Sequence, residues 1–191
     1  MQKRLRLLMP SPRQALVGVG ANLGDRFATL AAVLQRLAAR RGVSAVESSP
    51  VYETDPVGEI EQPKFLNIVA GLETTLSPEE LLDALLETER EFGRIRQARW
   101  GPRTLDLDLL AYEKETRATS SLTLPHPRML ERGFVIIPLR ELLNRPRFQI
   151  EAWDELRRQI ALPISAAGIS LFQPLDGNGA STPVDKDVTP S

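Results

Sequence analysis

The segment Leu105–Leu109 strongly limits how this chain can fold, because it reads Leu-Asp-Leu-Asp-Leu. Successive side chains of a strand point to opposite faces, whereas an amphipathic helix needs apolar residues three and four positions apart. The alternation therefore predicts a strand over 104–112, with three leucines facing a core and both aspartates facing the other way. The two carboxylates would start about 6.6 Å apart, the rise of two residues.

The rest of the chain alternates between extended and helical patterns. Three more segments have compositions typical of strands: 14–20, 43–54, which is rich in Val, Ser and Tyr, and 65–75. Four segments have helical spacing or helix-capping residues at their ends: 25–42, 77–93, about 133–144 and 151–160. The order β-α-β-β-α-β predicts an α+β, ferredoxin-like fold, with an antiparallel sheet, helices packed on one face, and additional C-terminal helices.

The two ends of the chain differ from its middle in composition. Residues 1–13 are basic and rich in proline at their end, and residues 174–191 contain three prolines, two glycines and no aromatic residue. Such segments bury too little apolar surface to offset the entropy of ordering. We expect a disordered extension over 1–13, a single catalytic domain over 14–160, and an extended, disordered tail over 161–191.

Composition also excludes several classes of protein. Lys plus Arg is 24 and Asp plus Glu is 25, and a net charge of −1 argues against a general nucleic-acid binder. The absence of cysteine excludes disulfides, thiolate metal sites and a cysteine nucleophile, and is consistent with a cytoplasmic protein. The longest uncharged stretch, 159–175, contains two prolines and is shorter than the ~20 apolar residues of a membrane span.

A strongly basic loop directly precedes the two aspartates. It contains four arginines and no acidic residue: Arg94, Arg96, Arg99 and Arg103. Such a loop repels itself unless it binds an anion, so beside two acids it predicts a site where carboxylates hold a metal ion and arginines hold phosphate. Oxygen ligands without cysteine favour Mg²⁺ over zinc. On residue pattern alone, the aspartates could also be the solvated face of a strand, and Trp100 either a stacking surface or a core anchor.

Two further motifs are less specific. His126, the only histidine, lies between two prolines and is either structural or, beside Arg128 and Arg132, directed at phosphate. The segment Gly18–Gly24 is not a dinucleotide fingerprint, because its third glycine is one position too late for GxGxxG. No GxxxxGK[ST] motif occurs in the chain, so a nucleotide would have to be held in another way.

The segment Arg99–Leu110 resembles the signature of the 6-hydroxymethyl-7,8-dihydropterin pyrophosphokinases of folate biosynthesis. Other matching motifs follow in order: Gly20–Gly24, Tyr52–Thr54, Gln62–Pro63, Phe65–Asn67, Gly93–Arg96, Pro125–Pro127 and Arg132–Phe134. The resemblance implies that the pyrophosphoryl group of ATP is transferred to the hydroxymethyl group of the pterin, with AMP as the second product. It also implies that the loops Asp55–Pro63 and Arg94–Arg103 are lids that close over the substrates.

The resemblance further implies which residues form the site. Asp106 and Asp108 would bind two Mg²⁺ ions, and with Arg94 and Arg103 they would form the catalytic set. The ATP site would comprise Glu89, Arg94, Arg96, Trp100, Arg103, Leu109, Thr123, His126, Pro127 and Arg132. The pterin pocket would comprise Thr54, Asp55, Val57, Phe65, Asn67, Trp100 and Phe134, with Asn67 at the polar edge of the ring and Phe134 stacking on it.

Two other interpretations stay open at this point. One is a catalytically impaired homologue that acts as a binding protein. The other is a ferredoxin-like RNA-binding module, which Arg132–Val135 faintly resembles, although aromatic residues make up only 5% of the chain. We expect ATP and the pterin as partners, no nucleic acid or membrane, and a monomer.

Overall fold

A computed structural model describes residues 11–56, 61–93 and 103–173. Its strands are β1 (Arg13–Ala21), β2 (Val43–Ser48), β3 (Val51–Thr54), β4 (Phe65–Thr74), β5 (Asp106–Tyr112), β6 (Arg117–Ala118), β7 (Thr123–Leu124) and β8 (Ile169–Gln173). Its α-helices are α1 (Arg26–Ala38), α2 (Pro78–Glu91), α3 (Gly133–Leu143) and α4 (Asp154–Ile160). No helix within the described residues is long and apolar enough to cross a membrane.

One antiparallel sheet of six strands forms the centre of the fold. The strands follow the order β5-β1-β4-β3-β8, and β2 pairs with β4 beside β3. The predicted ferredoxin-like α+β fold is therefore confirmed, as are the two helix starts. Asp25 caps α1 by accepting a hydrogen bond from the Ala28 N–H (3.0 Å), and Ser77 caps α2 together with Glu80.

The prediction of one continuous strand over 43–54 is wrong, because residues 49 and 50 separate β2 from β3. Pro50 has no N–H to donate to a ladder. Ser49 instead makes two hydrogen bonds to Val69 of β4. Its backbone N–H donates to the Val69 carbonyl oxygen (2.9 Å), and its Oγ accepts from the Val69 N–H (3.0 Å). The link between β2 and β3 thus stays hydrogen-bonded to β4, with which both strands pair.

Helices pack on both faces of the sheet, and each face has its own hydrophobic core. Val17 and Val19 of β1 point into the core beneath α1 and α2, while Leu16 points into a second core beneath α3 and α4. The predicted pair of helices therefore lies on one face, and the C-terminal helices lie on the other. Phe148 seals the second core over Gly71, where a methyl group would lie 2.2 Å from the Phe148 Cζ.

The second face changes from apolar to polar along the strands. After Leu16, the same face of β1 carries Gly18 and Gly20. The residues paired with Gly20, near the C-terminal end of β1, are polar on both sides. Gly20 lies opposite Asn67 on one side and Asp106 on the other. The fold thus keeps a polar half of this face, and this half contains the predicted site.

The prediction of a disordered tail from residue 161 is wrong for Ile169–Gln173, which form β8. This strand pairs with β3, and Phe172 packs on Phe27 of α1 with ring centroids 6.2 Å apart. Without β8, the outer edge of β3 would expose unpaired N–H and C=O groups, and pairing satisfies them. Residues 1–10 and 174–191 lie outside the described part of the chain, so the prediction for them is untested.

Candidate active site

The alternation in β5 places the two aspartates as the sequence predicts. Leu105, Leu107 and Leu109 are buried in the core beneath α1 and α2. Asp106 and Asp108 point to the opposite face and are half-buried. This arrangement makes the carboxylates a pair on one side of a rigid strand, rather than two groups on a mobile loop.

Each of these carboxylates has an arginine beside it. The Arg103 Nη1 lies 2.6 Å from the Asp106 Oδ2, and the Arg132 Nη1 lies 3.5 Å from the Asp108 Oδ2. The four side chains remain partly exposed, so the charges are neutralised without being sealed from solvent. The structure thus brings together predicted residues from the loop before β5 and from the start of α3.

The predicted pterin residues Thr54 and Asn67 lie on the same face, on the other side of β1. The Asn67 Nδ2 donates to the Thr54 Oγ1 (2.7 Å), and both side chains are buried. Gly20 makes room for this amide, because a methyl group there would lie 2.8 Å from the Asn67 Oδ1. Neighbouring strands are ~4.8 Å apart, so the carboxylates on β5 and the amide on β4 are about 10 Å apart across β1.

The structure also describes three other predicted pterin residues. Phe65 lies opposite Thr54 in the pairing of β3 with β4. Phe134, the second residue of α3, has the Arg132 guanidinium 5.6 Å from its ring centroid. Asp55 is exposed and pairs with Lys64 (3.0 Å). Four predicted site residues, Val57, Arg94, Arg96 and Trp100, lie outside the described residues.

Two of the predicted ATP-site residues, Leu109 and Glu89, have their side chains buried. The Leu109 side chain is in the core, on the opposite face from Asp108, so a nucleotide on the site face could reach only its backbone. Glu89 of α2 is 2% exposed, and its Oε1 accepts a hydrogen bond from the Leu107 N–H (2.7 Å). It therefore holds the edge of β5, between the two aspartates.

His126 occupies a fixed position behind Asp108. Its backbone N–H donates to the Leu110 carbonyl oxygen (2.7 Å), and its Nδ1 accepts from the Arg128 N–H (3.2 Å). Burial lowers the pKa of His126, the nearby Arg132 and Arg128 lower it further, and Asp108 opposes the shift. The ring is therefore neutral at pH 7. The other two predicted residues of this region, Thr123 and Pro127, are exposed.

Sequence reasoning gave no role to Asn22, which is 1% exposed and joins two loops. Its Nδ2 donates to the Gln62 Oε1 (3.0 Å) and to the Pro63 carbonyl oxygen (3.1 Å). Its Oδ1 accepts from the Arg103 N–H (2.7 Å), and its own N–H donates to the Arg103 carbonyl oxygen (3.1 Å). One side chain thus connects the end of the 55–63 loop to the residue that pairs with Asp106. Only the motif Gly20–Gly24 marked this position in the sequence.

The two aspartates suit a hard cation whose remaining ligands are oxygens of the substrate. Among the described residues, no group of three or more His, Asp or Glu side chains is arranged to hold a metal ion. Mg²⁺ commonly uses one or two carboxylates, with phosphate oxygens and water as its other ligands. Asp106 and Asp108, two carboxylates on one strand face, fit that requirement.

Paired carboxylates and arginines on one rigid face fit the charge neutralisation and positioning that phosphoryl transfer requires. Comparison with known sequences makes this specific. A sequence model of the 7,8-dihydro-6-hydroxymethylpterin-pyrophosphokinase (HPPK) family matches residues 16–144. The chain belongs to this family.

Individual relatives agree with the family assignment. The chain is 44% identical over 131 residues to the 2-amino-4-hydroxy-6-hydroxymethyldihydropteridine pyrophosphokinase of Bacillus subtilis, covering 69% of this chain and 78% of the relative. The enzyme of that name from Methylorubrum extorquens is 43% identical, covering 68% and 82%. The folic acid synthesis protein fol1 of Schizosaccharomyces pombe is 38% identical over 92% of this chain and 24% of its own length.

A solved structure supports the fold alone. A crystal structure of an HPPK-DHPS protein in complex with substrates matches with a TM-score of 0.55 and 12% sequence identity. The match covers 80% of this chain and 43% of that chain.

Proposed function

We propose that this chain transfers the pyrophosphoryl group of ATP to the hydroxymethyl group of 6-hydroxymethyl-7,8-dihydropterin, the step of folate synthesis for which its relatives are named. The products are AMP and the pterin diphosphate. One observation carries the proposal: a carboxylate–arginine cluster and a buried amide share one face of the sheet, separated by a single glycine-bearing strand. The cluster suits a polyphosphate, and the amide suits the edge of a heterocycle.

The phosphate side is built from opposite charges held close together. Arg103 and Arg132 point at the carboxylates of β5 and can contact phosphate oxygens that approach from the open face. Asp106 and Asp108 would hold Mg²⁺, which supplies charge neutralisation and alignment of the triphosphate when bound. Arg94 and Arg96, from the loop before Arg103, are proposed to contact the same triphosphate. The neutral His126 and the exposed Thr123 and Pro127 would border the nucleotide.

The pterin side offers hydrogen bonds and flat surfaces. The amide of Asn67 is fixed by Thr54, so its remaining donor and acceptor are oriented before a ligand binds. Phe134 and Phe65 supply aromatic surface beside it, and Trp100 and Val57 are proposed to complete the pocket. Because β1 has only glycines between the two sides, the hydroxymethyl group can lie over Gly20 and face the phosphates.

The chemistry asks little of the protein beyond positioning and charge. The transition state of phosphoryl transfer is loose, so the hydroxymethyl oxygen needs little deprotonation before it attacks the β-phosphorus. The bond from that phosphorus to the AMP oxygen breaks as the new bond forms. The arginines stabilise charge on the transferring group, and the rigid strand β5 keeps the acids in line with it. We further propose that the protein acts in the cytoplasm as a monomer.

The test is AMP formation from ATP, measured with and without the pterin, in Mg²⁺ and in EDTA. The proposal predicts AMP that requires both the pterin and Mg²⁺. ADP as the nucleotide product would indicate an ordinary γ-phosphoryl kinase instead. Binding of ATP and pterin without turnover would favour the impaired homologue.

A further inference from the structure

The turn that leads into β8 lies outside the region matched by the family model. It contacts Asp55, a proposed pterin residue, and Gly133, the residue before Phe134. The turn comprises Ser165–Ile169 and is closed by a hydrogen bond from the Ile169 N–H to the Ala166 carbonyl oxygen (3.0 Å). In the pairing of β8 with β3, Ile169 lies opposite Thr54, the last residue of β3. The turn therefore sits where β3 enters the 55–63 loop.

The first contact of this turn is with Asp55. The Asp55 N–H donates to the Gly168 carbonyl oxygen (2.9 Å), which continues the ladder one residue past the end of β3. Gly168 has a φ of +70°, and a methyl group on it would lie 2.5 Å from the Asp55 Oδ2. Only glycine is free of strain at that φ and allows this approach. Gly168 thus holds the backbone of Asp55 and lies close to its carboxylate.

The second contact is with the start of α3. A methyl group on Gly133 would lie 2.9 Å from the Ile169 Cδ1 and 3.0 Å from the Ser165 carbonyl oxygen. Gly133 is the first residue of α3 and lies directly between Arg132 and Phe134. The turn therefore packs against the short segment that contains Arg132, on the phosphate side, and Phe134, on the pterin side.

The turn is itself fixed by the strand that follows it. β8 is joined to the edge of the sheet through β3, and on the other face the Phe172 ring packs against Phe27 of α1. A displacement of the turn would have to break this pairing or this ring contact. The turn can thus act as a rigid spacer between β3 and α3.

We propose that the turn Ser165–Ile169 positions the pterin pocket by fixing the separation between Asp55 and the start of α3, where Phe134 lies. Gly168 and Ile169 are positioning residues, since each acts through a residue of the pocket. This inference rests on the proposed function, because that function assigns Asp55 and Phe134 to the pterin. It gives the C-terminal segment a role in positioning the acceptor substrate.

The test uses the full chain with Gly168→Ala, which inserts a methyl group against the Asp55 carboxylate. We expect the KM for the pterin to rise about five- to tenfold, the effect of one lost or displaced hydrogen bond, while kcat and the KM for ATP stay within about twofold. Hydrogen exchange at the Asp55 amide should become faster. Leu171→Ala is the matched control, because Leu171 lies in β8 but is 62% exposed, and it should behave as the wild type does.

Ile169→Ala provides a second variant that keeps the glycine and removes the side chain that faces Gly133. It should also raise the pterin KM, because it loosens the contact that holds the start of α3, where Phe134 lies. An unchanged pterin KM in folded Gly168→Ala, with faster exchange at Asp55, would overturn the inference. So would equal losses in pterin and ATP, which indicate a structural role alone. Failure of the proposed function would be distinct, because the wild type itself would then form no AMP with the pterin.

Discussion

Gly20→Ala is expected to damage pterin binding selectively, because Gly20 is the residue that lets the Asn67 amide lie against β1. The new methyl group would lie 2.8 Å from the Asn67 Oδ1, closer than a side-chain carbon is found to a non-bonded atom. The amide must therefore shift, which disturbs its buried 2.7 Å hydrogen bond to the Thr54 Oγ1. The substitution thus perturbs one buried hydrogen bond and the orientation of one proposed ligand group.

The size of the effect follows from that bond. A buried hydrogen bond contributes about 0.5–1.5 kcal/mol, which corresponds to roughly a two- to tenfold rise in the dissociation constant for the pterin. Stability should change little, because replacing glycine within a strand stabilises by about 0.4–1 kcal/mol and offsets part of the loss. The KM for ATP should stay within about twofold, since the acids on β5 do not contact the amide.

The assay is a titration of the pterin at saturating ATP, together with a thermal melt of each variant. Gly18→Ala is the matched control, because Gly18 lies on the same face of β1 and a methyl group there would meet Leu110 at an ordinary 3.5 Å. The two variants should differ clearly in pterin affinity. Equal affinities for Gly20→Ala, Gly18→Ala and the wild type would refute the argument that Asn67 binds the ring.

Three further substitutions test other parts of the account. Asn22→Ala should lower the free energy of unfolding by about 2–3 kcal/mol in urea denaturation, because the part-buried Arg103 N–H loses its partner and Gln62 loses its donor. An unchanged midpoint would contradict the role of Asn22 as a connection between loops. Gly71→Ala should lower the free energy of unfolding by at least about 1–3 kcal/mol in the same measurement, because a methyl group cannot fit 2.2 Å from Phe148. The kcat of the folded protein should stay unchanged. Full stability would mean that this core is loosely packed. Arg103→Ala should raise the barrier by about 3–4 kcal/mol in single-turnover measurements, and a near-normal rate would remove its proposed role.

Much of the fold could be predicted because local patterns and tertiary structure agree in this chain. The alternation in β5, the cap at Asp25 and the capping box at Ser77 each carry their own physical signal, and each was found where predicted. The break at Pro50 was missed because residues typical of strands lie on both sides of it, and the proline interrupts the ladder by lacking an N–H. β8 was missed because its stability comes from pairing with a distant edge, and most of its side chains are exposed.

The site shows a similar division. The two aspartates were predictable from strand alternation, and Arg103 from its place beside them. The pairing of Arg132 with Asp108 depends on how α3 packs, which no local pattern indicates. Glu89 was assigned to ATP through resemblance, and its bond to the backbone of an edge strand is a contact that only the fold reveals. Asn22 had no role until both of its loops were seen together.

The central claim is that the carboxylates of β5 serve pyrophosphoryl transfer to a pterin. Its most direct test is a single-turnover experiment with ATP labelled at the α-phosphorus to follow AMP and at the γ-phosphorus to follow the pterin diphosphate. It compares the wild type with the doubly substituted Asp106→Asn, Asp108→Asn chain. The account predicts that the wild type forms AMP and pterin diphosphate in equal amounts, and that the double variant stays folded but is slower by a factor of about 100 or more. Equal rates in the two proteins would contradict the claim.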